Sequence, residues 1–85
     1  MLRTPVDGTR MHILTWLKEP CRAQAGATAE AVATRFGLAH PVALTHLRLL
    51  TAIGLLHTTR IGGRLHYRRD EVRIAEVARR FEKGW

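Results

Sequence analysis

The chain has 85 residues, which suits one small domain, since a domain of this size buries only roughly 60–65% of its unfolded surface. Apolar residues make up 46% and charged residues 25% of the chain, a composition that excludes an intrinsically disordered tail. The formal net charge of +7 favours a polyanionic partner, either a nucleic acid or an anionic membrane surface.

Cys21 is the single cysteine, so the chain cannot form an internal disulfide bond. Residues 1–20 lack the long apolar run of a signal peptide. No stretch approaches the ~18 uninterrupted apolar residues of a membrane-spanning helix. We therefore expect a soluble protein of the cytoplasm.

The N-terminal segment 1–8 contains a proline and an Asp-Gly pair, both of which interrupt regular structure, and it is predicted to form an arm. Residues 9–85 are predicted to form one domain. Its first helix is predicted from an N-cap at Thr9 to about Glu19, where Pro20 ends it. Apolar residues cover more than one side of this helix, which indicates a second buried contact besides the core: Met11, Ile13, Leu14, Trp16 and Leu17.

Two further helices are predicted after a loop or short extended piece at 21–27. The first begins after an N-cap at Thr28 and ends at Gly37. The second is predicted over 41–53, with Pro41 at its first position and Gly54 as its stop. Apolar side chains recur along it at helical spacing and predict a core stripe: Ala43, Leu47 and Leu50. Two helices joined by a tight turn form a helix-turn-helix.

A β-hairpin is predicted next, because Gly62-Gly63 separates two β-prone runs. Asp70 is predicted to cap a last helix, from Glu71 to about Lys83. One apolar stripe follows this helix at helical spacing: Ile74, Ala78, Phe81 and Trp85. The predicted fold class is therefore mainly α with a β-hairpin wing, a winged helix-turn-helix.

Basic residues are concentrated in the second half of the chain, where nine of the fourteen lie after residue 40. They form either a solvated surface or a phosphate-binding site. Arg60 and Arg64 flank the predicted hairpin tip and could enter a minor groove or clamp phosphates. Arg64, His66 and Arg68 share one strand face, and Tyr67 on the opposite face is predicted to pack in the core.

Three segments resemble the ArsR family of winged-helix repressors. They are "DGTRMHILTWLKEP", similar to the family's opening helix, "LAHPVALTHLRLLTAIGLL", similar to its recognition helix, and "TRIGGRLHYRRDE", similar to its wing. The resemblance implies a homodimer built from the first and last helices. It also implies that helix 41–53 enters the major groove of an inverted repeat in double-stranded DNA, and that binding represses transcription.

Residues near the N-terminal end of a recognition helix reach base edges. Arg48 is suited to reading guanine or pairing with a phosphate, whereas for His46 a packing and phosphate-orienting role is preferred over base readout. The candidate DNA-binding residues are His40, Val42, Leu44, Thr45, His46, Arg48, Arg60, Arg64 and Arg68. The candidate dimer contacts are Met11, Leu14, Ile74, Ala78, Phe81 and Trp85.

Two alternatives to sequence-specific DNA binding stay open. Val42 and Leu44 stand where family members typically present threonine and serine, so this face could instead pack against a partner protein. The basic surface also allows a non-specific, nucleoid-type DNA binder. If the helix instead binds DNA specifically, an exposed Leu44 is expected to contact thymine methyl groups.

Metal and enzyme chemistry are not expected. The cysteine pair that many ArsR relatives carry before the recognition helix is absent, and the five histidines have no paired spacing of the zinc type. No nucleophile–base pair or phosphate-binding glycine loop is present. We therefore predict no cofactor and no catalytic site, and retain a redox-responsive Cys21 as an alternative.

Overall fold

The computed structural model describes residues 6–81, apart from the side chains of Val6, Asp7, Cys21, Arg22 and Phe81. Helices and strands follow in the order that the sequence predicts, with one short helix added. They are α1 (Val6–Trp16), α2 (Pro20–Ala23), α3 (Ala29–Phe36), α4 (His40–Ala52), β1 (Leu56–Ile61), β2 (Arg64–Arg69) and α5 (Glu71–Phe81). The winged helix-turn-helix fold is thus confirmed.

The start of α1 differs from the prediction. The helix begins at Val6, so an N-cap at Thr9 is wrong, and residues 6–8 of the predicted arm are helical. The arm's residues 1–5 lie outside the described part of the chain. Helix α1 ends at Trp16 and not at about Glu19, so Pro20 is not its stop. Pro20 instead opens the short α2, which begins the segment predicted as a loop or extended piece, since proline is favoured at a first helical position.

The helix-turn-helix has the predicted caps. The Thr28 side-chain oxygen accepts a hydrogen bond of 3.1 Å from the Ala31 N–H, which satisfies a free donor of the first turn of α3. Gly37 ends α3 as predicted. Helix α4 begins at His40, so Pro41 occupies the second helical position and not the first.

The hairpin has the predicted Gly62-Gly63 turn, and both glycines have positive φ angles, 57° and 80°. Strand register pairs Ile61 with Arg64 at the tip and Leu56 with Arg69 at the base. Ala27, in the loop before α3, pairs with the hairpin as a third strand of one residue. It exchanges backbone hydrogen bonds of 3.0 and 2.8 Å with Tyr67. These bonds attach the base of the wing to the body of the domain.

The core lies between α1, α3, α4 and the base of the hairpin. Ala43, Leu47 and Leu50 are at most 1% exposed, which confirms the predicted stripe of α4. Tyr67 is 4% exposed and confirms the predicted inward face of β2. Other buried apolar residues complete the cluster: Ile13, Leu14, Trp16, Leu17, Ala27, Ala29, Val32, Leu55, Leu56 and Ile74.

Strand β2 also buries one of its three arginines. Arg69 is 8% exposed, and it forms an ion pair of 2.7 Å between its Nε and Oε2 of Glu71. A buried charge is tolerated when it is paired and hydrogen-bonded. Arg69 therefore belongs to the body of the domain and not to its basic surface.

Candidate nucleic-acid interface

The N-terminal end of α4 and the tip of the hairpin lie on one side of the molecule. Both line a single open cleft of about 280 Å³. Helix α4 contributes His40 and Leu44, and the wing contributes Gly63 to Leu65 together with Tyr67. The first turn of α3 closes the cleft through Thr28, Ala29 and Glu30. Helix α4 and the wing are thus positioned to contact one ligand together.

Several predicted side chains of α4 are available on its outer face. His40, Thr45 and Arg48 are exposed, and Val42 is 44% exposed. The Thr45 hydroxyl donates a hydrogen bond of 2.9 Å to the carbonyl oxygen of Pro41. Thr45 would have to release this bond to donate to a phosphate, since phosphate oxygens are acceptors.

Leu44 is less exposed than expected. It is half-buried and packs against the core cluster, because it lies between the first turn of α3 and the wing. The exposed apolar side chains lie elsewhere, at Val42, at Leu49 further along the helix and at Ile53 just after its end; Leu49 and Ile53 are 43% and 55% exposed.

His46 is only 4% exposed and does not reach the outer face of α4. Its Nδ1 atom is buried and has no hydrogen-bond partner in the structure. Burial, and secondarily the nearby positive charge of Arg10, lower the pKa of His46. A neutral, packed imidazole agrees with the packing role and argues against base readout. Sequence reasoning missed Arg10, since nothing in its spacing relates α1 to α4.

The wing arginines differ in their exposure and in the contacts that their side chains make with the rest of the chain. Arg60 Nη1 donates a hydrogen bond of 3.2 Å to the carbonyl oxygen of Gly63, which fixes it across the tip. Arg64 is exposed beside the tip. Arg68 is half-buried, and its stem crosses Gly26, where an added Cβ would lie 2.5 Å from Arg68 Cγ. Arg64 is therefore the best placed of the three to contact a ligand.

The positive charge of the wing is not neutralised within the described part of the chain. No described carboxylate lies within ion-pair distance of Arg60, Arg64 or Arg68. Glu30 lines the cleft without reaching that distance. Unpaired arginines at a surface attract phosphate groups and give binding that depends on salt.

The predicted dimer contacts divide into three groups. Leu14 and Ile74 are 1% and 3% exposed, so they fill the core of one chain and are not free for a second copy, which corrects their assignment. Met11 and Ala78 are half-buried and keep surface for a partner. The side chain of Phe81, and Trp85 as a whole, lie outside the described residues.

Among the described side chains, no group of three or more histidine, cysteine, aspartate or glutamate residues has the geometry to hold a metal ion. The side chain of Cys21, the candidate redox thiol, lies outside the described part of the structure. No described helix is long and apolar enough to cross a membrane.

Comparison with known proteins places the chain among transcriptional regulators. No protein-family model matches it. The HTH-type transcriptional regulator YbzH of Bacillus subtilis (strain 168), itself uncharacterized, is 31% identical over 80 residues, which cover 82% of this chain and 80% of YbzH.

Solved structures give the same result. An ArsR-like transcriptional regulator from Rhodococcus sp. RHA1 is 31% identical with a TM-score of 0.72, over 92% of this chain and 69% of that one. The winged helix-turn-helix domain of Mb0332 from Mycobacterium bovis, a possible ArsR-family regulator, is 30% identical with a TM-score of 0.68, over 89% and 66% of the two chains. The chain belongs to the ArsR family of winged helix-turn-helix transcriptional regulators.

Proposed function

We propose that this protein binds double-stranded DNA as a homodimer and represses transcription. The N-terminal half of α4 enters the major groove, and the wing contacts the flanking backbone. The observation that carries this proposal is the shared cleft, in which His40 of α4 lies opposite Gly63 and Arg64 of the wing. A single duplex can therefore meet both elements at once.

Groove dimensions support this arrangement. The major groove of B-DNA is roughly 12 Å wide and admits an α-helix. The exposed side chains of α4 combine one arginine, Arg48, with the imidazole of His40 and the apolar Val42. Arginine is suited to guanine or phosphate, and an apolar side chain is suited to the methyl group of thymine.

The wing supplies contacts that do not depend on sequence. Arg64 is exposed beside the tip, and Arg60 is held across it by the carbonyl of Gly63. Neither is paired with a described carboxylate, so both charges are available to phosphates. Such contacts fix the register of a protein on the duplex.

A homodimer is supported by the Mycobacterium bovis domain, which is described as homodimeric and DNA-binding. In this chain, α5 leaves Val72 72% exposed, and Met11 and Ala78 are half-buried. Helices α1 and α5 thus keep apolar surface that a second copy can cover. A two-fold dimer presents two copies of α4 to successive major grooves of an inverted repeat.

The protein-interaction alternative rests on the apolar side chains of α4. The relatives do not favour it, since those with a stated role are transcriptional regulators. Val42 is explained on DNA by contact with a thymine methyl group, so the exposed apolar surface is compatible with the first proposal.

An electrophoretic shift assay tests the proposal. The probes are the duplex upstream of the encoding gene and a scrambled duplex of equal composition, each at two salt concentrations. We expect retention of the upstream duplex that survives excess competitor and weakens with salt. Equal, steeply salt-dependent retention of both duplexes would indicate a non-specific binder. Retention of neither, with a protein that co-purifies, would indicate the interaction module.

A further inference from the structure

A second concave site lies away from the cleft, between the C-terminal half of α1 and the end of α3. It is an open cavity of about 690 Å³, within the size range of roughly 300–1,000 Å³ that is usual for small-molecule sites. Seven residues line it: His12, Thr15, Trp16, Lys18, Glu19, Arg35 and Phe36. None of them is among the candidate DNA-binding residues or the candidate dimer contacts named above.

The floor of this cavity is aromatic. The rings of Trp16 and Phe36 meet edge to face, with centroids 5.7 Å apart and planes at 89°. Trp16 is 7% exposed and Phe36 is half-buried and packed against the core, so both rings are held in place. Fixed aromatic walls favour a planar ligand that stacks on one ring and meets the edge of the other.

The rim of the cavity is charged, with an excess of positive groups. Arg35 lies over the Phe36 ring, with its Cζ 5.1 Å from the centroid, and Lys18 is exposed on the α1 side. Glu19 is the carboxylate of the lining, against these two permanent cations and the imidazole of His12. Cations beside an aromatic floor complement a ligand that joins a flat apolar ring to an acidic group.

We propose that this cavity binds a small planar aromatic anion. Its ring packs against Trp16 and Phe36, and its acid group pairs with Arg35 and Lys18. This site goes beyond the proposed DNA-binding function and does not depend on it. Phe36 is the last residue of α3, and α4 begins four residues later at His40, so the ligand would occupy the base of the helix-turn-helix.

Amide NMR spectroscopy with a defined probe tests the site without DNA. The probe is naphthoate, and the comparison compound is naphthylmethylammonium, which carries a similar ring and the opposite charge. We expect saturable shifts from naphthoate at the indole N–H of Trp16 and at the amides of 35–36. The ammonium compound should bind at least about tenfold more weakly, the equivalent of one charge-assisted hydrogen bond.

A pair of charge reversals makes the test specific. Arg35→Glu should weaken naphthoate binding by at least about tenfold, whereas Arg79→Glu, the same change at an exposed position of α5, should leave it unchanged. The spectra themselves verify that each variant is folded. Absence of saturable shifts, shifts confined to other residues, equal binding of the ammonium compound, or equal losses in both variants would each overturn the proposal.

Discussion

Arg69 Nη1 donates a hydrogen bond of 2.9 Å to the main-chain oxygen of Leu14, a residue 55 positions earlier in the chain. The same guanidinium meets the Glu71 carboxylate through two bonds, of 2.7 and 3.2 Å. Its hydrogen bonds to Glu71 lower the pKa of that carboxyl. One side chain thus joins the end of α1, the end of β2 and the start of α5.

The first prediction concerns this junction. Arg69→Met should lower the free energy of unfolding by about 1–3 kcal/mol, because the buried oxygen of Leu14 loses its donor. Chemical denaturation measures the change. Arg60→Met, the same substitution at an exposed wing position, is the control and should stay within about 0.5 kcal/mol of the parent. Equal effects of the two variants would show that the junction contributes nothing.

The second prediction concerns pH. Burial lowers the pKa of His46 in the folded protein. The unfolded chain therefore protonates His46 near its ordinary pKa of 6.5, whereas the folded protein protonates it only at a lower pH. The stabilising contribution is therefore fully present above that value and is lost as pH falls below it. Denaturation between pH 8 and 5 should show a decline that is smaller in His46→Gln. The same decline in the variant would assign the effect to other groups.

The third prediction concerns the attachment of the wing. Gly26 has φ of 74°, and an added Cβ would lie 2.5 Å from the carbonyl oxygen of Tyr67. Gly26→Ala should therefore cost more than about 1 kcal/mol of stability. Gly37→Ala is a matched control, because its φ of 65° is similar and nothing lies within 4 Å of its added Cβ. If both variants lose the same stability, the close contact with Tyr67 is unimportant.

The fourth prediction concerns the dimer. Ala78 is half-buried on α5, on the face proposed to meet a second copy. Ala78→Glu should halve the mass in light scattering, because a carboxylate is costly in an apolar interface. Ala52→Glu, at an exposed helical position outside that face, should keep the parent mass. Circular dichroism checks the fold of both, and a folded, dimeric Ala78→Glu variant would rule out this interface.

Local signals predicted much of the fold. The Thr28 cap, the glycine stop of α3 and the Gly-Gly hairpin each depend on a few neighbouring residues, so they can be read from the sequence. The core stripe of α4 follows from helical periodicity. The start of α1 is an exception, because Thr9 is a good N-cap residue that the helix passes through.

Contacts between distant segments could not be predicted. Periodicity identified Leu14 and Ile74 as buried, but it does not distinguish the core of one chain from an interface, and both lie in the core. Strand alternation places Arg69 on the same face of β2 as Tyr67, but its hydrogen bond to Leu14 and its ion pair with Glu71 depend on the folded chain. The cleft likewise depends on how α4 and the wing pack together.

The fifth and most direct measurement is a fluorescence anisotropy titration of the upstream and scrambled duplexes with the parent, Arg48→Ala and Arg64→Ala. Arg48→Ala should weaken binding to the upstream duplex by ~1–3 kcal/mol and reduce the preference over the scrambled one. Arg64→Ala should weaken both equally and reduce the log–log salt slope by about 0.9 per protomer. Unchanged affinity in both variants would contradict the account that α4 and the wing bind DNA together.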